Sequence, residues 1–279
     1  MNPFDAGIIH FLNQFAHRSW TLDNAVVLFS ANHLIKGGVI ITLFWWTWFH
    51  EDEGKTQKRE FLFYGVVSCI LALIFARVLA HTLPFRERPL RNPALYFQMP
   101  YEMNEKVLLQ WSSFPSDHAV LFFTLAACIF LVSRHAGILA LCYTFFIICL
   151  PRIYLGIHYP TDILAGALIG FAIASLSRIA ALRESLTRHG FLWLQKSPGS
   201  FYAFLFLVTF QIATLFDPAR EIIRFFLLAP KFVFTISIGL TLLSYLLYRI
   251  PVPRNLARSA VASMPPQACP AINTNAKIT

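Results

Sequence analysis

The stretch FLFYGVVSCILALIFARVLAHTL, residues 61–83, runs 23 residues without one acidic group. As a helix it would reach about 34 Å at 1.5 Å per residue, enough to cross a hydrocarbon core of about 30 Å. Arg77 sits inside it, where an arginine is costly unless it snorkels or meets a partner. Apolar runs flank it at 34–49, 114–132, 137–150 and 160–176, and again at 201–216 and 225–248. Together these predict an all-α polytopic transmembrane helix bundle, with five spans in a core and two further spans toward the C-terminus.

Composition agrees. Of 279 residues, 57% are hydrophobic and only 13% charged, against about 25% charged in soluble domains. The net charge of +9 suggests a nucleic-acid binder, but the basic residues lie between apolar runs and form no stripe, so no nucleic-acid partner is expected. The expected partner is the lipid bilayer. Cys69, Cys128, Cys142 and Cys149 lie inside apolar runs and no CxxC pair occurs, so neither a disulfide framework nor a metal site is expected. The first residues lack a basic region followed by an apolar one, so no cleavable signal is expected.

The expected organisation is an amphipathic N-terminal segment at 1–33, a membrane core at 34–182, a basic linker with two further spans at 183–250, and a disordered cytoplasmic tail at 251–279. In the first segment Phe4, Ile8, Phe11, Leu12 and Phe15 recur at helical spacing, which suits a helix on the membrane surface or under the bundle. Small residues at 165–167, 170, 172 and 174 permit close packing of the last core helix. With these spans, loop 51–60, Arg134, the 178–199 linker and the tail share one side with twelve Lys and Arg, against ten on the other. The positive-inside rule then puts the tail in the cytoplasm and the loops 84–113 and 151–159 outside.

Three polar clusters fall on that outer side: Arg86-Glu87-Arg88-Pro89, Pro115-Ser116-Asp117-His118, and Arg152, His158 and Asp162 in the spacing Arg-x5-His-x3-Asp. Pro115 suits the first turn of a helix, whose free N–H groups at Ser116, Asp117 and His118 would form an anion site. Arg88 and Arg152 offer planar forks for phosphate. Asp162 lies one turn after His158, within reach of its ring, and a histidine held by a carboxylate suits a nucleophile. His118 suits a general acid. The other histidines, His10, His17, His33, His50, His135 and His189, read as solvated interface residues. Each cluster alone also fits a plain helix cap. Their occurrence together on one face favours chemistry.

These clusters resemble the motifs of the type 2 phosphatidic acid phosphatase superfamily of integral membrane lipid phosphatases: Lys-x6-Arg-Pro, Pro-Ser-Gly-His and Ser-Arg-x5-His-x3-Asp. The resemblance spans 61–176 and is most specific in Tyr154-Leu155-Gly156-Ile157-His158-Tyr159-Pro160. It implies that His158 forms a phosphohistidine with Asp162 orienting it, that His118 protonates the leaving oxygen and later activates water, and that Arg88, Arg152 and Ser116 hold the phosphoryl oxygens. It implies neither metal nor cofactor. Three positions depart from the pattern: His81 stands where the lysine falls, Pro151 replaces the serine, and Asp117 replaces the glycine. Arg77, one turn before His81, supplies the missing charge or serves only structure. The bacitracin-resistance-type undecaprenyl-diphosphatases also carry the aspartate and lack the lysine. The expectation is therefore a lipid phosphatase of a bacterial inner membrane acting outside on undecaprenyl diphosphate. The alternatives are a phosphatidic acid, phosphatidylglycerophosphate or lipid A phosphatase, a lipid phosphotransferase, or a non-catalytic lipid-binding or transport member.

Overall fold

The computed structural model describes residues 2–50, 55–103, 111–228 and 230–249; the tail expected at 251–279 lies outside these. Among the described residues every regular element is helical. Two short helices come first, α1 (Pro3–Asn13) and α2 (Trp20–Ala31), capped by Asn2 and Ser19. After a 67° bend a π-wound turn, Leu34–Gly38, leads into α3 (Val39–Phe49), and the Asn32 side chain accepts the N–H groups of Leu34 and Ile35. Then come α4 (Lys55–Thr82), α5 (Asp117–Val132) and α6 (Arg134–Tyr143), the last continuing through a π-wound segment into α7 (Leu150–Tyr154). The helices α8 (Pro160–Ser175), α9 (Ala180–Lys196), α10 (Pro198–Ala213), α11 (Asp217–Leu228) and α12 (Pro230–Arg249) complete the order. The chain divides into two units, Met1–Glu221 and Ile222–Thr279, and all of the site described below belongs to the first.

By length and composition, Thr56–Thr82, Arg134–Tyr154 and Pro160–Arg178 each suffice to cross a bilayer, and the described residues hold up to five spans if each of two bent helix pairs counts as one. The remaining expected spans coincide with shorter apolar helices, α5 and residues 236–245 within α12. At 16 residues α5 is about 24 Å long, less than the hydrocarbon thickness. Its first residue, Asp117, pairs with Arg77 near the end of α4.

Helix α5 is buried along nearly its whole length, from Asp117 to Ile129. It lies against both α4 and α8. The contact with α8 is as close as the run of small residues predicts. A Cβ on Gly166 would meet Ala119 Cβ at 2.7 Å, and one on Gly170 would meet the Thr124 nitrogen at 2.9 Å. Without side chains there, the backbones approach and dispersion contacts replace the hydrophobic drive that lipid cannot supply. The main core gathers Phe44, Trp48, Leu121, Phe122, Leu125, Phe201 and their neighbours.

Three local expectations are corrected. Pro115 is not in the first turn of α5: Ser116 is the N-cap, and Pro115 precedes it through a cis peptide bond. The segment from Pro151 is not yet loop, because the helix runs on to Tyr154 and Arg152 rides on its last turn. The basic linker is largely the helix α9, whose Arg183 is buried against Glu60 and the Ser177 carbonyl.

Helix α1 is oriented by its polar residue. Asp5 and Ile9 are its buried positions, while Phe4, Phe11 and Phe15 are exposed. Beside a bilayer that is the favourable order, since lipid accepts the rings and the bundle accepts the carboxylate.

Candidate active site

The Arg-x5-His spacing folds back on itself. Gly156 adopts φ +63°, and a Cβ there would press on the Phe97 ring at 2.7 Å. That reversal lets the Arg152 carbonyl accept N–H from both Ile157 (2.9 Å) and His158 (3.2 Å). The first motif is laced to the same turn. Leu90 N–H donates to the Gly156 carbonyl at 3.0 Å, and Arg88 Nη1 donates to the Ile157 carbonyl at 2.7 Å. The second motif joins through Ser113, whose N–H donates to the Arg86 carbonyl at 2.9 Å. All three clusters thus meet at one end of the bundle.

His158 is 5% exposed. Its Nδ1–H donates to the Ser113 carbonyl at 2.8 Å, and Asp162 Oδ2 stands 3.6 Å from the same nitrogen. The carbonyl is therefore the closer partner and sets the tautomer that leaves Nε2 with its lone pair. Burial, together with Arg88 and Arg152, pulls the imidazole pKa down to about 4 against the opposing pull of Asp162. The ring is neutral at neutral pH.

Asp162 has no exposure. Its Oδ2 accepts the Tyr159 N–H at 2.8 Å, closing the first turn of α8, and its Oδ1 accepts from Arg86 Nη1 at 2.5 Å. Arg86 lies over the Tyr159 ring at 4.0 Å, and its Nη2 donates to Asp5 Oδ2 at 2.7 Å.

Arg88 and Arg152 are both 4% exposed. Arg88 donates to the Ile157 and Ser112 carbonyls, and burial pulls its pKa to about 10, which leaves it charged at neutral pH. Arg152 Nη2 donates to His118 Nε2 at 2.6 Å. Seven buried side-chain polar atoms have no hydrogen-bond partner among the described residues, and four of them belong to this cluster: Arg88 Nε, Arg152 Nε, Ser113 Oγ and Ser116 Oγ. Unpaired donors at such density are costly unless a ligand answers them.

The expected open helix start is narrower than the sequence suggests. Ser116 N–H donates to the Asp162 carbonyl at 3.3 Å, but the Ser116 side chain caps nothing. The N–H groups of Asp117 and His118 remain for an anion. Asp117 pairs with Arg77, which also lies over Trp111 at 4.3 Å. His81 is exposed and lines an apolar groove with Arg77, Leu73, Ile74, Val78 and Thr82. No group of three or more His, Cys, Asp or Glu side chains able to hold a metal lies among the described residues.

The sequence reading assigns no role to Asp5, Thr161, Tyr159 or Ser113, and quotes Arg86 only within its cluster. One signal was available for Asp5: an acidic residue on a helix otherwise rich in Phe and Ile needs a partner inside the bundle. The Ser113 carbonyl carries no such signal, because main-chain acceptors are invisible in residue types.

Residues 61–184 match the profile of the PAP2 superfamily. The chain is 28% identical over 165 residues to the bacitracin transport permease protein BcrC of Bacillus licheniformis, covering 57% of this chain and 72% of that protein. It is 25% identical over 177 residues to the lipid A 1-diphosphate synthase of Escherichia coli K12, covering 60% and 71%. It is 23% identical over 173 residues to the undecaprenyl-diphosphatase BcrC of Bacillus subtilis 168, covering 61% and 80%. No solved structure matches the chain. The family match runs from the start of the first long span through all three motifs that the fold gathers at one end. Residues 61–184 thus form a domain similar to the PAP2 superfamily.

Proposed function

We propose that this protein is a membrane lipid phosphatase that removes the terminal phosphate of undecaprenyl diphosphate, through a phosphohistidine and without a metal. The observation that carries the reading is a neutral, buried His158 beside two buried arginines with unanswered donors. The terminal phosphoryl group binds to Arg88, Arg152, Ser116 and the Asp117 and His118 amides. His158 Nε2 attacks phosphorus, a P–N bond forms, and the P–O bond to the bridging oxygen breaks. As Arg152 turns to the phosphoryl oxygens it releases His118 Nε2, which takes up a proton from solvent and then gives it to the leaving lipid phosphate. Neutral His118 then takes a proton from water, whose oxygen attacks phosphorus, the P–N bond to His158 Nε2 breaks, and orthophosphate departs. Asp162 stabilises the positive charge that develops on the His158 ring. Arg77 and His81 are the candidates for the position of the family lysine.

The site would face outward from a bacterial inner membrane, with the C-terminus in the cytoplasm. The supporting features are the Lys and Arg bias and the placement of Arg183 with Glu60 at the end of α4 remote from the motifs. Phosphate release in detergent micelles, compared across undecaprenyl diphosphate, phosphatidic acid, phosphatidylglycerophosphate and lipid A, tests the substrate. Undecaprenyl diphosphate should turn over fastest, and preference for another lipid would replace it. His158→Ala should abolish release, and EDTA should not. The lipid A 1-diphosphate synthase relative supports a second reading, in which a lipid takes the phosphoryl group from His158 in place of water. Supplying labelled undecaprenyl diphosphate with an acceptor lipid separates the two by where the label arrives.

A further inference from the structure

The arginine that reaches Asp162 is itself held by a carboxylate on the N-terminal helix α1, 81 positions earlier in the chain. Asp5 on α1 is wholly buried and both its oxygens are engaged. Thr161 N–H donates to Oδ1 at 2.9 Å, and Thr161 Oγ1 and Arg86 Nη2 each donate to Oδ2 at 2.7 Å. Arg86 Nη1 divides itself between Asp162 Oδ1 at 2.5 Å and Thr161 Oγ1 at 2.9 Å, with Tyr159 across its face. We propose that Asp5 is a positioning residue for phosphoryl transfer, acting through Arg86 on Asp162 and thereby on His158. The inference rests on the reading of His158 as nucleophile and Asp162 as its charge partner.

Arg86 with Asp162 alone would be a neutral pair, exerting little field on a ring 3.6 Å from the carboxylate. With Asp5 present, two carboxylates share one guanidinium and the group stays net negative. Asp162 can then favour the positive charge that builds on His158 as its Nε2 bonds to phosphorus. The fork also sets position. Arg86 is fixed at both nitrogens, so it holds Oδ1 and turns Oδ2 toward the Tyr159 N–H and His158. A mere strut could use any apolar pair to dock α1. A buried carboxylate aimed at the arginine of the nucleophile's partner is a costly choice for that purpose alone.

Full-length protein in detergent micelles, releasing phosphate from undecaprenyl diphosphate, provides the test. Asp5→Asn should lower kcat by about 10- to 100-fold, the scale of a slightly misplaced reacting group, with KM changed less than about twofold. Asp5→Glu, which keeps the charge, should recover part of the loss. Arg86→Lys keeps the charge but cannot bridge two carboxylates, so it should lose kcat similarly, and it decides the matter if Asp5→Asn does not fold. The double variant Asp5→Asn/Arg86→Lys should be no slower than the worse single one, because both act along one path. Wild-type kcat in folded Asp5→Asn or Arg86→Lys, or losses that multiply in the double variant, would overturn the inference and leave the phosphatase reading intact. A wild-type protein that releases phosphate from no lipid would overturn that reading, and the inference with it.

Discussion

Four arginines crowd the motif end of the bundle, and they fall into two pairs. Arg88 and Arg152 are almost fully buried, form no ion pair among the described residues, and each keep an unpartnered Nε. Arg86 and Arg77 are each about one-third exposed and each meet a carboxylate: Asp5 and Asp162 for the first, Asp117 for the second. Residue type and even neighbourhood are shared, yet the two pairs hold opposite electrostatic states. A guanidinium already answered by a carboxylate attracts a phosphate weakly. One buried against carbonyls and an imidazole carries charge that only an anion can meet. The difference separates the pair proposed to bind phosphate from the pair that meets carboxylates, with no appeal to motif.

The comparison breaks most sharply under truncation. Arg88→Met and Arg152→Met should each lower kcat/KM for lipid diphosphate by about 10²- to 10³-fold, the usual cost of losing one donor to a developing charge. Their melting temperatures should hold, because an uncompensated buried charge is removed with the side chain. Arg86→Met should do the reverse on the stability axis. It strands Asp5 and Asp162, both without exposure, at an expected cost of about 3 kcal/mol, near the lower bound for a broken buried pair. Thermal unfolding in micelles, read beside phosphate release, checks both. A stable Arg86→Met with a fragile Arg88→Met would reverse the assignment.

Much of this was legible in the chain. The membrane class, the run of apolar helices and the convergence of Arg88, His118, Arg152, His158 and Asp162 follow from run lengths and spacing, because helix ends at one bilayer level must meet. The face of α1 was not. Its Phe residues trace a stripe that would face inward in a soluble protein, whereas here the rings are exposed and Asp5 turns inward. The expectation that Asp162 alone holds the His158 ring is incomplete for another reason. The closer acceptor is the Ser113 carbonyl, and backbone atoms leave no trace in sequence. Likewise, that Arg77 is spent on Asp117 could not be seen from either motif alone.

The pH dependence sharpens the role of the binding pair. Burial and the fields of Arg88 and Arg152 hold His158 near 4, below the ordinary histidine value of about 6.5. With His158 as the proposed nucleophile acting as the neutral ring, kcat/KM should fall only as pH drops toward about 4, with no loss through 6.5 arising from this group. Asp162 opposes the shift by favouring the charged ring. Asp162→Asn should therefore move the acid limb to still lower pH while lowering the plateau. Removing Arg88 should move the limb upward. A limb near 6.5 in the wild type would mean the ring is more solvated than its surroundings imply.

The smallest effect concerns Arg77 and Asp117, whose side chains are 28% and 12% exposed. Their charges cancel, so neither governs the field felt by an arriving diphosphate. Arg77→Gln exposes the Asp117 carboxylate beside the anion site and should raise KM about three- to fivefold, within the 1 kcal/mol scale of partly exposed pairs. Added salt should shrink the increase, since exposed charges are screened over about 10 Å at 0.1 M. The double variant Arg77→Gln/Asp117→Asn removes both charges and should return KM to near the wild-type value, while His81→Ala, on an exposed side chain, should leave it unchanged. If the double variant keeps the full loss of Arg77→Gln, then Arg77 touches the phosphate itself, and it belongs with Arg88 and Arg152 in spite of its carboxylate.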